Sequence, residues 1–328
     1  MTRRFAARCV LFKKNDRLIN YFAFPKYCDI GYYFFVQQRL SYPIAAMSMF
    51  SYSLKAFALN PHFFDALVIQ RDATVLRYCI PLVVGFISVQ VIHEVAHYIV
   101  AKRKKIKIGF PVPIATPFYS NLPFFGCITP LRSFPPNRAA LVDFALSGPM
   151  ASLAVSLCMV LGGVALTSRA SAGQIARFPF LSVHAMKSNF LLGTILSWLL
   201  PKTMMLPLAQ PIPMHPLFVI GRFGMISSAL NLLPIFRLDG GRACFAVLGQ
   251  RQGAVISAFT ILWIISSFFM SSSMLLIWTL MVALFQMRVE IPCRDECTKV
   301  GLKREFLWFF SFMLSMSILV PFPHRGMH

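Results

Sequence analysis

Two histidines and a glutamate lie close together in an apolar stretch of the chain, as His93, Glu94 and His97. The stretch has the length of a helix, and residues four apart on a helix share one face. The two imidazoles can therefore bind one metal ion, while Glu94 lies near enough to reach a water molecule beside it. The alternative is a pair of structural histidines, but three such polar groups are costly to place in an apolar helix.

A metal site that hydrolyses substrates needs a third protein ligand and one open position. Asp239 is the candidate, within the segment 231–241 that ends a later apolar run. Pro234 breaks the helix and Gly240-Gly241 permits a sharp turn, so we expect Asp239 to lie on irregular backbone that lines a cavity. The alternative is an exposed aspartate at a helix C-terminus.

The eight cysteines form no CxxC pair, so the sequence supports neither a zinc ribbon nor a disulfide framework. No cysteine is well placed to be the third ligand. Cys158 and Cys244 lie in or beside apolar runs, and we expect both to be small core residues.

The composition predicts that these residues are positioned by membrane helices. Of the 328 residues, 57% are apolar and only 13% are charged, whereas soluble domains carry about 25% charged residues. A soluble enzyme and a disordered protein are therefore excluded. The predicted fold is an all-α polytopic membrane protein with about six to eight transmembrane helices. The candidate spans are 80–101, 141–166, 216–236, 254–269 and 306–322, with a short one at 274–287 and marginal ones at 42–59 and 189–206.

The charge is strongly basic, with 32 Lys and Arg against 11 Asp and Glu, a net charge of +21. In a membrane protein this balance indicates basic loops on one face near anionic lipid, and not nucleic-acid binding. The loops that follow residues 101, 236 and 287 are basic and are predicted to share one side. This arrangement requires that 189–206 does not fully cross, so we predict a re-entrant or interfacial segment there. Residues 1–40 are interpreted either as a transit peptide or as a basic arm.

The loop from Lys107 to Arg138 contains seven prolines among apolar residues. Prolines at this density forbid a helix, so we predict an extended or hairpin segment that dips into the membrane edge. Its part from Phe124 to Thr129 is either a strand edge that receives substrate or a surface loop without such a role.

HExxH in one span and NxxPxxxLDG in a later one together resemble the site-2 protease family of intramembrane zinc metalloproteases. A narrower resemblance, over about residues 79–322, is to the plastid ethylene-dependent gravitropism-deficient and yellow-green proteins. The stretches that carry it are 142–149, 214–216, 238–243 and 290–293. The resemblance implies His93, His97 and Asp239 as Zn²⁺ ligands and Glu94 as the catalytic base. Asn231 would be an active-site residue that donates to the substrate or an intermediate.

The implied activity is hydrolysis of peptide bonds within or near transmembrane segments of membrane-protein substrates, in a plastid membrane or another endomembrane. The metalloprotease domain would be residues 79–322, after a basic region 1–78 and before a tail 323–328. The competing functions are a membrane transporter and a catalytically silent scaffold of the same fold. No oligomeric state follows from the sequence.

For three further positions, the sequence either leaves two alternatives open or favours a structural role. Asp143 either supports a ligand histidine or pairs with Arg222, which lies inside the third strong span. We expect His215, between two prolines, to be a turn residue. Gly148-Pro149 is expected to allow close helix packing.

Overall fold

The computed structural model describes residues 76–113, 126–268 and 292–322, the short stretches 11–14 and 17–20, and single residues at 50, 53, 54, 67, 69 and 71. The described chain is mostly helical. Near the N-terminus, strands β1 (Leu11–Lys14) and β2 (Arg17–Asn20) pair antiparallel. The predicted segment 274–287 and most of 42–59 lie outside the described residues.

Two long apolar helices form the first half of the fold. Helix α1 covers Leu76–Arg103 and helix α2 covers Arg138–Arg169, where Asn137 caps the first turn by accepting from the Ala140 N–H at 2.8 Å. Both are long and apolar enough to cross a membrane. At 1.5 Å per residue each exceeds the roughly 30 Å of a hydrocarbon core.

The proline-rich loop between α1 and α2 contains strands β3 (Val112–Pro113) and β4 (Cys127–Ile128). They pair antiparallel, with Val112 opposite Ile128, and a further bridge joins Ile108 to Leu131. Pairing of the two ends of the loop confirms the predicted hairpin for the described residues.

The region after α2 is a series of short elements. These are α3 (Ala172–Ile175), β5 (Phe180–Ser182), α4 (Val183–Met186), α5 (Phe190–Leu199), α6 (Pro201–Met204) and β6 (Pro211–Pro213), with β5 and β6 antiparallel. At ten residues, α5 spans about 15 Å, half of a hydrocarbon core. This length agrees with the prediction that 189–206 does not cross, which stays a prediction.

The remaining helices are α7 (Pro216–Asn231), α8 (Asp239–Leu248), α9 (Gln250–Phe268) and α10 (Leu302–Leu319). Helix α7 ends at Asn231, five residues before the end of the predicted span. The expectation that His215 is a turn residue is confirmed, because its Nδ1 accepts from the Leu217 N–H at 3.2 Å and caps α7.

Helix α2 is central and packs against α1, α7 and α8. Its contact with α7 is close because both surfaces carry glycines. A Cβ on Gly221 of α7 would lie 2.5 Å from the Ser156 carbonyl oxygen and 2.7 Å from the Val160 nitrogen of α2. Small residues that let backbones approach are typical of membrane helix pairs. This packing fixes α2 and α7 relative to each other, with Phe144 and Phe218 buried in the shared core.

The outer faces of the helices are apolar as well. On α1, Val84, Val91, Val95 and Tyr98 are all about half exposed. Such a surface is suited to lipid. Of the two cysteines predicted to be core residues, Cys244 is buried. The prediction for Cys158 was wrong, because this residue of α2 is exposed.

Candidate metal centre

His93, His97 and Asp239 converge at one buried point between α1 and α8. Asp239 Oδ2 lies 3.2 Å from Nε2 of both histidines, and the two Nε2 atoms are 3.1 Å apart. Residues 146 and 142 positions apart along the chain thus meet as the sequence predicted. The three side chains form the candidate triad.

The spacing of the triad fits a metal ion. In a tetrahedral zinc site with bonds of 2.0–2.1 Å, ligand atoms lie roughly 3.3–3.4 Å apart. The observed triangle of 3.1–3.2 Å is close to that geometry. A hydrolytic zinc site has three protein ligands and one further position, and the triad supplies three such donor atoms.

The outer nitrogens of both imidazoles have partners that fix the rings. His97 Nδ1 faces the Phe144 carbonyl oxygen at 2.9 Å, and since a carbonyl only accepts, Nδ1 carries the proton. The Nε2 lone pair of His97 is therefore directed into the triad. His93 Nδ1 faces Ser152 Oγ at 3.3 Å, and Ser152 in turn lies 2.7 Å from Ser228 Oγ. Such outer contacts orient metal-binding histidines.

Asp239 is brought to the histidines by a tight connection between α7 and α8. The turn passes through Phe236, which has a φ of +31°. The Phe236 N–H donates to Ser257 Oγ of α9 at 3.2 Å, and the Leu238 N–H donates to the Ile235 carbonyl at 2.9 Å. These bonds set the direction in which α8 begins.

Two expectations about this segment were wrong. Asp239 is the first residue of helix α8 and not part of irregular backbone. Gly240 and Gly241 are also helical, and they serve close packing because a Cβ on either would overlap the backbone of residues 232–236. The helix places Asp239 where the positive end of its dipole favours a carboxylate.

Glu94 lies beside the triad and is half-buried. The Thr129 hydroxyl donates to Glu94 Oε2 at 2.6 Å, and Gln90 Nε2 donates to Oε1 at 3.4 Å. The short bond from Thr129 fixes the carboxylate, and the long one from Gln90 leaves Oε1 weakly bound. The helix therefore presents Glu94 next to His93, as the HExxH spacing predicted.

Asn231 is buried at the last turn of α7, under the start of strand β4. A Cβ on Gly126, which has a φ of +105°, would lie 2.9 Å from Asn231 Oδ1. Only glycine suits both this backbone conformation and this contact. The hairpin is thereby seated directly on Asn231.

Cys127, the residue after Gly126, is not part of the triad. Burial raises the pKa of its thiol well above the usual range, and the negative charges of Glu94 and Asp239 raise it further. The group that converges at the candidate site consists of His93, His97 and Asp239.

Several contacts around the triad were not predicted. Gly148 lies against it, since a Cβ there would be 2.6 Å from His97 Cδ2 and 2.8 Å from His93 Cδ2. The packing role expected for Gly148 is thus confirmed, and its partner is the triad itself. Thr129, Gln90 and Arg242 were missed. Gln90 lies four residues before Glu94, so its helical spacing was the available signal.

Asp143 has neither of the partners considered from the sequence. Its carboxylate binds Lys104 Nζ at 2.7 Å and Arg304 at 2.7 and 3.0 Å, which joins α2 to α10 and to the residue that follows α1. Arg222 instead donates to the Ala185 carbonyl and to Ser188 Oγ, each at 3.0 Å. Asp143 is therefore structural, through contacts that neither alternative had predicted.

The sequence of this chain matches a known peptidase family. Residues 81–275 match peptidase family M50, and these residues make up more than half of the chain. The chain belongs to this family. The family resemblance predicted from HExxH and NxxPxxxLDG is confirmed.

Individual relatives support the narrower resemblance. The chain is 30% identical over 243 residues to the probable zinc metalloprotease EGY1, chloroplastic, of Arabidopsis thaliana. The aligned region covers 74% of this chain and 43% of that protein. It is 29% identical over 311 residues to the probable zinc metallopeptidase EGY3, chloroplastic, of the same plant, covering 89% and 51%. The chain spans about half the length of these relatives. The solved site-2 protease from Methanocaldococcus jannaschii aligns with 73% of this chain and 89% of its own at 15% identity, with a TM-score of 0.39.

Proposed function

We propose that this protein is a zinc metalloprotease that hydrolyses peptide bonds within or near transmembrane segments of membrane proteins. The observation that carries the proposal is the convergence of His93, His97 and Asp239 with Glu94 beside them. Relatives named as probable zinc metalloproteases support Zn²⁺ as the ion. A silent scaffold is disfavoured, because all four groups are present.

The chemistry divides between the ion and the chain. When bound by the triad, Zn²⁺ supplies a Lewis acid that polarises the peptide carbonyl and lowers the pKa of water to about 7. Glu94 accepts a proton from the attacking water through Oε1, while Thr129 holds Oε2. The water oxygen bonds to the carbonyl carbon, the C–N bond breaks, and Glu94 returns the proton to the leaving amine. We assign Asn231, buried under the hairpin, to donate a hydrogen bond to the substrate or the intermediate.

The substrate is proposed to be a transmembrane segment. A helical peptide has its carbonyl groups in hydrogen bonds, so the cleaved stretch must unwind before water can attack it. The β3–β4 hairpin lies over the site through Gly126 and Thr129 and offers a strand edge to an unwound peptide.

The membrane setting is proposed on the same grounds. Helices α1 and α2 cross the bilayer as part of about six to eight spans, and residues 79–322 form the protease domain between the region 1–78 and the tail 323–328. The chloroplastic relatives support a plastid membrane. The proposed partners are transmembrane substrates and the lipid bilayer. Nucleic acid is not a proposed partner.

The test uses detergent-purified protein, a labelled transmembrane peptide and zinc analysis. Glu94→Gln should abolish cleavage while Zn²⁺ stays bound, because the amide cannot accept the proton. Asp239→Ala should lower bound Zn²⁺. Glu305→Gln, in the first turn of α10 and outside the triad, is the matched control and should match the wild type. Proteolysis by the Glu94 variant would remove the base assignment, and full zinc occupancy without Asp239 would move the third ligand elsewhere.

A further inference from the structure

Arg242 is a buried cation one helical turn after Asp239, with only 2% of its surface exposed. Its Nη1 lies 3.5 Å from Asp239 Oδ1, and its Nη2 donates to the Thr129 carbonyl oxygen at 2.8 Å. The guanidinium also lies near the Phe144 ring, 5.8 Å from its centroid. Buried charges are costly unless they are paired and hydrogen-bonded. Arg242 therefore joins the start of α8 to the strand segment that follows β4.

Thr129 extends this connection to α1. Its carbonyl accepts from Arg242, while its hydroxyl donates to Glu94 Oε2 at 2.6 Å. Thr129 is itself 3% exposed, so water does not compete freely for either bond. The chain of contacts runs from Asp239 through Arg242 and Thr129 to Glu94.

We propose that Arg242 and Thr129 are positioning residues that fix the catalytic base relative to the third metal ligand. This inference rests on the proposed function. His93 and Glu94 are adjacent on one helix, whereas Asp239 comes from another. Through the carbonyl and the hydroxyl of Thr129, Arg242 forms a polar connection from α8 to α1 on the Glu94 side of the triad.

Arg242 also distinguishes the two oxygens of Asp239. Oδ2 faces both histidines at 3.2 Å, and Oδ1 faces the guanidinium. Asp239 would therefore hold a metal ion through Oδ2, the oxygen that faces both imidazoles, while Oδ1 stays directed to the guanidinium.

The test compares four variants with the wild type for Zn²⁺ affinity, kcat and KM. Arg242→Gln should weaken Zn²⁺ affinity about 10–100-fold, the effect typical of groups that orient a ligand. Thr129→Val keeps the shape but removes the hydroxyl, so kcat should fall about 10–100-fold, with Zn²⁺ affinity and KM unchanged. Thr129→Ser should restore kcat. Arg242→Lys keeps the charge and serves if the glutamine variant does not fold; it should also weaken Zn²⁺ affinity, because one ammonium cannot bridge both partners.

Two controls separate positioning from general stability. Arg138 holds the other end of α8 through the Ala246 and Val247 carbonyls at 2.5 and 2.7 Å, without contact to the triad. Within the described part of the chain, the Thr260 hydroxyl donates to the Ile256 carbonyl of its own helix. Arg138→Gln and Thr260→Val should both retain wild-type affinity and kcat.

Three outcomes overturn the inference: wild-type kcat in Thr129→Val, equal zinc loss in Arg242→Gln and Arg138→Gln, or no rescue by serine. If the wild type binds Zn²⁺ but cleaves nothing, the proposed function fails, while the zinc measurements still test Arg242. A wild type that binds no Zn²⁺ overturns both.

Discussion

Replacement of Gly148 by alanine tests how closely α2 must approach the triad. The added methyl would lie 2.6 Å from His97 Cδ2 and 2.8 Å from His93 Cδ2, with His97 Nε2 closer still. Ordinary contacts are 3.4–4 Å, so the imidazoles or the helix must move by several tenths of an ångström or more. Overpacking of this kind costs about 1–3 kcal/mol. A free-energy change of about 1.4 kcal/mol changes a binding constant tenfold. If the zinc-bound state bears this strain, we expect Zn²⁺ affinity to fall about 5–150-fold.

Gly162→Ala is the matched control, because it lies on the same helix and its Cβ would meet nothing within 4 Å. Both substitutions gain about 0.5–1 kcal/mol of helix preference, so the comparison isolates the contact with the histidines. Zn²⁺ affinity is measured by competition with a chelator in detergent, and Tm by thermal unfolding. Equal affinity and equal Tm in the two variants would refute the close approach of α2 to the triad.

Three further predictions concern the surroundings of the site. Gly240→Ala should be more harmful than Gly148→Ala, because its Cβ would overlap the backbone of Leu232, which cannot rotate away; a folded variant with normal zinc content contradicts this. Asp143→Asn should lower stability by about 1 kcal/mol at low salt and less at high salt, because its contacts with Lys104 and Arg304 are partly exposed; an unchanged Tm at both salt concentrations would be inconsistent. Removal of Zn²⁺ by a chelator should lower Tm and abolish cleavage, with recovery on adding Zn²⁺, since the ion joins α1 to α8 and at 100 times its Kd contributes about 2.7 kcal/mol; a Tm insensitive to the chelator would show that the triad holds no ion.

The helical part of the site was predictable because its geometry is local. The four-residue spacing of His93 and His97 fixes their shared face, and the structure confirms it. Density of proline predicted the extended loop, but nothing in the loop specifies that Val112 pairs with Ile128 or that Thr129 reaches Glu94. Such contacts depend on tertiary register.

Neither the long-range charge pairs nor the buried face of α2 could be predicted from the sequence. Asp143 and Arg304 are 161 residues apart, so no periodic pattern relates them. Helix α2 is apolar on all sides, and a helix with no polar face gives no sign of which residues are buried. Cys158 was consequently expected inside and is exposed. Asp239 was recognised by its motif, but its place on a helix depends on the packing of Gly240 and Gly241.

The order of the triad along the chain has a consequence for biosynthesis. The last donor oxygen is encoded 142 positions after the second imidazole. At 5–20 residues per second, a ribosome adds it about 7–30 s later. Throughout that interval the nascent polypeptide carries the two histidines without the carboxylate of Asp239. Distribution of the donors over two distant segments thus delays completion of the triad until most of the chain has been made.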